Sequence, residues 1–312
     1  MKCKNLLLTL VLTASSVFAT ENVLQKEEYD FEGLTLGVSL SLFNSTTNEY
    51  LYDTDINRKV SQLVWKAKNV KLLGVETRYK ITNPLEAYFE YKKNISSNNS
   101  VMDDYDWQDA DPTIVSLWSH HEETKNPNVS LLDIGLKYSL NFFEDVPLWV
   151  SLGYKDEKAK FQSYNGFGIY NGNYFEFDKI GYGGLLITFE QEYKGPYIGM
   201  GTSYQYDDFI FDASLQYSPF MNVSYTDIHH LRPFIETSHF DDTSMVSLHL
   251  GTTYQLSTHQ NIIVSYALTH YAFERGDRYR IFTDVGEAYY WENMAALKSK
   301  NSQISLAYRY TF

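Results

Sequence analysis

The chain has 312 residues, with 39 acidic against 26 basic side chains and one cysteine, Cys3. That acidic excess disfavours nucleic acid and anionic surfaces as partners and favours cationic ones. Beyond position 3 there is no disulfide, thiol nucleophile or cysteine metal site to consider.

Residues 1–19 read as an export signal. Lys2 and Lys4 form a positive n-region, Leu6 to Val11 with Leu12 and Val17 an apolar core, and Val17-Phe18-Ala19 a small-residue cleavage site. Cleavage after Ala19 leaves 24 basic against 39 acidic residues and discards Cys3, which precedes the apolar core and so is no lipid-attachment site. No later stretch approaches the roughly 20 apolar residues of a membrane helix. The 27 tyrosines and 19 phenylalanines suit a membrane protein of another kind.

Alternation supplies that kind. Leu34, Leu36, Val38, Leu40 and Leu42 share one face, and Thr35, Gly37, Ser39 and Ser41 the other. Similar runs occur at 132–142, 148–154, 198–206, 209–217, 246–254 and 262–269. The last strand sets Ile304, Leu306, Tyr308, Tyr310 and Phe312 against Ser305, Ala307, Arg309 and Thr311. Tyrosines near strand ends fit the aromatic girdles of an outer-membrane barrel. Short links at Asn83-Pro84, Glu144–Pro147, Asp207-Asp208 and Ser257–Gln260 alternate with long polar links near 44–57, 94–130, 165–180, 218–243 and 273–300. The expected fold is all-β: an antiparallel transmembrane β-barrel of about ten strands with long extracellular loops. Residues 20–312 form its single domain, with both termini periplasmic. So narrow a barrel fills its interior with side chains, which disfavours a channel and moves function to the extracellular end.

Two clusters there can do chemistry. The first is Met102-Asp-Asp-Tyr-Asp-Trp-Gln-Asp109. On an extended strand Asp104 and Asp106 aim at one face. Close carboxylates repel, so one can be held protonated for acid–base work. A solvated acidic loop or a calcium-binding turn would contain the same residues. The second is Ser224-Tyr-Thr-Asp-Ile-His-His230, where Asp227 and His229 share a face and the carboxylate can orient the imidazole and raise its basicity. A surface histidine accounts for Asp-x-His equally well. No His-x-x-x-His spacing joins His120, His121, His229 and His230, so no metal is expected. Without a Gly-x-Ser-x-Gly elbow, Ser224 makes no standard triad.

In their order along the chain, these segments resemble the omptin family of Gram-negative outer-membrane proteases. Arg58-Lys-Val-Ser-Gln-Leu-Val-Trp65 is similar to the family's second-strand signature, with Val64 where an aspartate is usual. Asp104-Tyr-Asp106-Trp107 resembles its Asp-x-Asp-Trp segment, and Asp227-Ile-His229 its Asp-x-His dyad. Gly153-Tyr154 through Gly166, Gly195-Pro-Tyr-Ile-Gly199 and Ser203 to Phe209 resemble its fifth to seventh strands, and Tyr310-Thr-Phe312 its usual end.

The resemblance implies an endopeptidase with no covalent intermediate and no cofactor. His229 would be the general base, oriented by Asp227, with water held between His229 and Asp104. Asp106 would position Asp104 and help stabilise the tetrahedral intermediate. Substrates would be cationic peptides or proteins, cut beside basic residues, with Glu49 in the first long loop holding the basic side chain. The usual acidic companion of Glu49 is Tyr225 here, able to hold a guanidinium by cation–π contact. Lipopolysaccharide is implied as an activator, bound on Tyr154, Asp156, Lys158 and Lys194. Glu192 stands where an arginine is usual, which weakens a phosphate contact. Residues 118–127 depart from the family's usual run. Together with Tyr225 they keep open an alternative: a catalytically weak surface adhesin binding host or matrix proteins.

Overall fold

The computed structural model describes residues 33–97, 99–109, 111–140, 147–177 and 184–312. The expected signal peptide, and most of the turn expected at Glu144–Pro147, lie outside the described residues.

Hydrocarbon supplies no hydrogen-bond partners, so a spanning strand needs both edges paired. The chain meets this by closing an antiparallel sheet on itself. The strands are β1 (Leu34–Asp53), β2 (Arg58–Lys80), β3 (Leu85–Asn94), β4 (Asn99–Asp106), β5 (Leu117–Leu140), β6 (Leu148–Tyr164), β7 (Phe167–Tyr170), β8 (Asn173–Glu176), β9 (Leu185–Tyr206), β10 (Phe209–His229), β11 (Phe234–Gln255), β12 (Gln260–Phe282) and β13 (Glu287–Thr311). Round the ring the order is β3, β2, β1, β13, β12, β11, β10, β9, β6 and β5, which returns to β3. β4 continues the line of β3 between β2 and β5, so the ring has the expected ten staves. The β7–β8 hairpin adds to the extracellular end of β5.

Outside, Val38, Val75, Leu136, Leu152, Ile198 and Leu306 form an exposed apolar belt, while Ser39, Ser41, Ser151 and Ser305 are buried inside. Tyr79, Tyr138, Tyr254 and Tyr310 rim the periplasmic edge, and Tyr154 and Tyr217 the other. Ion pairs line the lumen within the belt, among them Arg309–Glu76 at 2.7 Å across β1 and Lys155–Asp133 at 2.9 Å between adjacent strands. They surround a cavity of about 400 Å³.

Much of what the sequence suggested as loop at 44–57, 94–130, 218–243 and 273–300 is strand. β1, β5 and β13 run to 20, 24 and 25 residues, against the roughly 9–11 that cross a membrane. Above the belt the outer face is wet, so the apolar alternation stops while the pairing continues.

β10 changes phase on the way up. Asp212, Ser214 and Gln216 line the lumen below, whereas Met221, Val223, Tyr225 and Asp227 are the buried residues above. Between them, Tyr217 to Asn222 on β10 spans Ile198 to Lys194 on β9, one residue more than its partner. This bulge holds Pro219, which has no N–H to leave unpaired. Without the extra residue, Asp227 and His229 would face outward.

Leu306 lies mid-belt and is 51% exposed to lipid. Leu306→Arg is expected to destabilise the barrel by about 2–4 kcal/mol, read from urea titrations in phospholipid vesicles.

Candidate active site

Above the belt, two opposite walls present their inner faces to one space. β4 forms the first, with Asp104 between Leu63 and Ser119 and Asp106 between Ser61 and Leu117. The upper end of β10 forms the second, with Asp227 between Phe189 and Glu236 and His229 between Ile187 and Phe234. In the ring of ten, β4 and β10 are four steps apart one way and six the other. The walls interact electrostatically, Asp104 with Asp227 and Asp106 with His229. Each expected pair therefore lies on one strand face, and the two pairs meet.

The histidine is engaged at both nitrogens. Nε2 lies 3.0 Å from Asp227 Oδ2, and Nδ1 lies 3.1 Å from Arg232 Nη2. A guanidinium can only donate, so Nδ1 accepts, and the neutral ring carries its proton on Nε2 for Asp227. The basic lone pair of His229 is thus capped by Arg232, an exposed side chain in the turn after β10. Asp227 was expected to raise the imidazole's basicity. Instead burial, with the Arg232 charge second, pushes its pKa down to about 3.

The carboxyl groups move the other way. Burial, then the charge of Asp106, holds Asp104 well above the usual carboxylate range. Burial also raises Asp106, against hydrogen bonds from Ser61 and Gln108. Asp227 is raised by burial and then by Glu236. Asp104 Oδ1 and Asp227 Oδ1 are buried and have no hydrogen-bond partner among the described residues. The space between the walls therefore holds a neutral imidazole, protonatable acids and unused acceptor atoms, a set suited to moving protons.

Glu49 lies in β1 rather than in a loop, and only 1% of it is exposed. It accepts a hydrogen bond from Trp65 Nε1 at 3.3 Å, and burial, with Asp227 next, holds its pKa well above the usual value. Tyr225 is also buried, packed between Phe189 at 5.4 Å and Phe240 at 5.9 Å. Both sit beneath the groove. His120 lies 2.7 Å from Asp103 and His121 2.9 Å from Ser119, apart from the β10 dyad.

Four charged residues here escaped the sequence reading: Arg232, Glu236, Arg278 and Arg280. Glu236 is 1% exposed and accepts from Arg278 Nε at 2.9 Å and Arg280 Nε at 2.6 Å. Burial pushes its pKa up, but the two guanidinium groups outweigh burial and hold it low. The available signal was Arg-x-Arg at strand spacing, within a stretch read as loop.

On the outer surface, Tyr154, Asp156 and Lys158 of β6 adjoin Lys194 of β9. Glu192 binds Lys158 at 2.7 Å and Lys194 at 2.8 Å, while Lys158 also lies 3.6 Å from Asp156.

The model of the Omptin family matches residues 30–312. The chain belongs to the Omptin family. It is 24% identical over 292 residues to the plasminogen activator of Yersinia pestis, covering 90% of each chain. It is also 24% identical to the outer membrane protease OmpP of Escherichia coli K12, over 98% of this chain and 99% of that one. The crystal structure of outer membrane protease OmpT from Escherichia coli shares the fold, with a TM-score of 0.85 at 22% identity, over 92% of this chain and 99% of that one. This omptin is thus an outer-membrane β-barrel of a protease family.

The His229 ring is expected to stay neutral from about pH 5 to 9 in NMR titrations of the micelle-held protein. Arg232→Ala should move its titration up towards the ordinary value near 6.5. A wild-type ring that charges between pH 5 and 7 would contradict this geometry.

Proposed function

We propose that this omptin is exported with residues 1–19 removed and acts as a surface endopeptidase, hydrolysing bonds beside basic residues in cationic peptides or proteins. The observation that supports it most is the meeting of Asp104 and Asp106 on one wall with Asp227 and His229 on the other. A water beside Asp104 Oδ1 lies in the path between the pairs. As the substrate enters, Arg232 swings away from Nδ1 towards solvent and frees the lone pair. Nδ1 then takes a proton from the water, whose oxygen attacks the scissile carbonyl. Asp227 holds the imidazolium that forms. Asp104, kept protonated by burial and by Asp106, donates a hydrogen bond to the oxygen that gains charge. His229 returns its proton to the leaving amine, so no bond to the protein forms. The chain's excess of acidic over basic residues favours cationic substrates.

A dibasic fluorogenic peptide should be cleaved by the folded protein, and His229→Ala should lower kcat/KM by about 10²–10⁴-fold. Unchanged turnover in that variant would remove the dyad from the mechanism.

We also propose that lipopolysaccharide activates the enzyme through Tyr154, Asp156, Lys158 and Lys194. Glu192 occupies both lysines, so a lipid phosphate has to compete with its carboxylate. Glu192→Gln is expected to lower the lipopolysaccharide concentration for half-maximal activity several-fold. An unchanged midpoint would place the lipid elsewhere.

A further inference from the structure

Beside and just beneath the dyad lies a layer of charged residues that the mechanism above does not use: Glu236, Arg278 and Arg280. At the level of Tyr225, the neighbours round the ring are Ser238, Arg278 and Trp291. One inward position higher, Asp227 is followed by Glu236 and Arg280. Arg278 is nearly enclosed, its side chain 7% exposed. Its guanidinium lies 5.4 Å from the Trp291 ring, and its Nη1 lies 3.3 Å from Met294 Sδ.

One carboxylate, Glu236, takes both guanidinium groups, although either would balance its charge. Arg278 is then a surplus cation. It lies within electrostatic reach of Glu49, Asp227 and Tyr225. Burying a guanidinium is costly unless acids surround it, and this layer provides them. A layer able to hold a resident guanidinium has the chemistry to hold a substrate's arginine, and the two compete for the same acids.

We infer that Arg278 is a specificity-determining residue: it fills the acid layer beside and beneath the dyad and keeps long basic substrate side chains out of it. This rests on reading the groove as a peptidase site for cationic chains. Basic side chains are then selected from the groove above, and the preference for arginine over an uncharged isostere at the cleaved bond is shallow. Removing Arg278 leaves Glu236 paired with Arg280 and opens the layer to an outside guanidinium.

The probe is agmatine, an alkyl guanidinium, titrated against the micelle-folded protein by tryptophan fluorescence, because Trp65 donates to Glu49 in this layer. Arg278→Met should bind agmatine at least about tenfold more tightly than wild type. Arg278→Lys, which keeps the charge, should bind as wild type does. Should the methionine variant lose the heat-modifiable gel shift of a folded barrel, Arg278→Gln carries the same expectation, since it can still hydrogen-bond Glu236. Equal agmatine affinity in wild type and the neutral variant overturns the inference. With two peptides differing only in arginine or citrulline beside the cleaved bond, the ratio of kcat/KM should rise about tenfold in the neutral variant. An unchanged ratio also overturns it. Binding is read without turnover, so tighter agmatine binding with no cleavage by any form would sink the peptidase reading and with it the role in specificity, leaving only Arg278 as the side chain that closes the acid layer to an outside guanidinium.

Discussion

In hydrocarbon every backbone N–H and C=O has to find its partner inside the protein, and the closed ring answers that demand. Closure at β5–β3 fixes the register of each stave against the next, from Thr35 opposite Thr311 round to Leu85 opposite Tyr138. The same ladders continue above the belt, so side chains there inherit their height and direction from pairings made in the membrane. Asp104 reaches the groove because Leu63 fixes its level, and Leu63 in turn sits opposite Glu49. A site on free loops would have to pay in ordering entropy for what this ring supplies in advance.

That rigidity permits an unusual concentration of charge. Asp104, Asp106, Asp227, Glu49 and Glu236 share one interior with Arg232, Arg278 and Arg280. Burial holds four of the five acids above their normal range, because each charged form loses its hydration there. Glu236 differs because it alone has two guanidinium groups on it. His229 obeys the same rule with opposite sign: low polarizability and a neighbouring cation disfavour a second positive charge.

The belt was legible because lipid on one side and a polar lumen on the other impose a strict period of two, as at Leu34–Leu42 and Ile304–Phe312. The pairs Asp104/Asp106 and Asp227/His229 were legible as sharing a face, since that needs only local extension. Which face was not. The phase read from Asp212 and Gln216 in β10 would send His229 to the outside, and nothing in Ser218–Asn222 except Pro219 hints that it reverses. Strand above the belt was hidden because solvent wets its outer face and erases the apolar signal, so Glu49, Arg278 and Arg280 fell in apparent loops. Arg232 was hidden for another reason: its contact with His229 depends on the turn that joins β10 to β11.

The extra residue in β10 has an evolutionary side. It separates this stave into a lower half answerable to lipid and an upper half answerable to what enters the groove. Substitutions that retune one half need not respect the pattern of the other, because the inside–outside count restarts at the irregularity. Two lineages can thus diverge in the wall that carries Asp227 and His229 while keeping the lipid-facing half of the same stave.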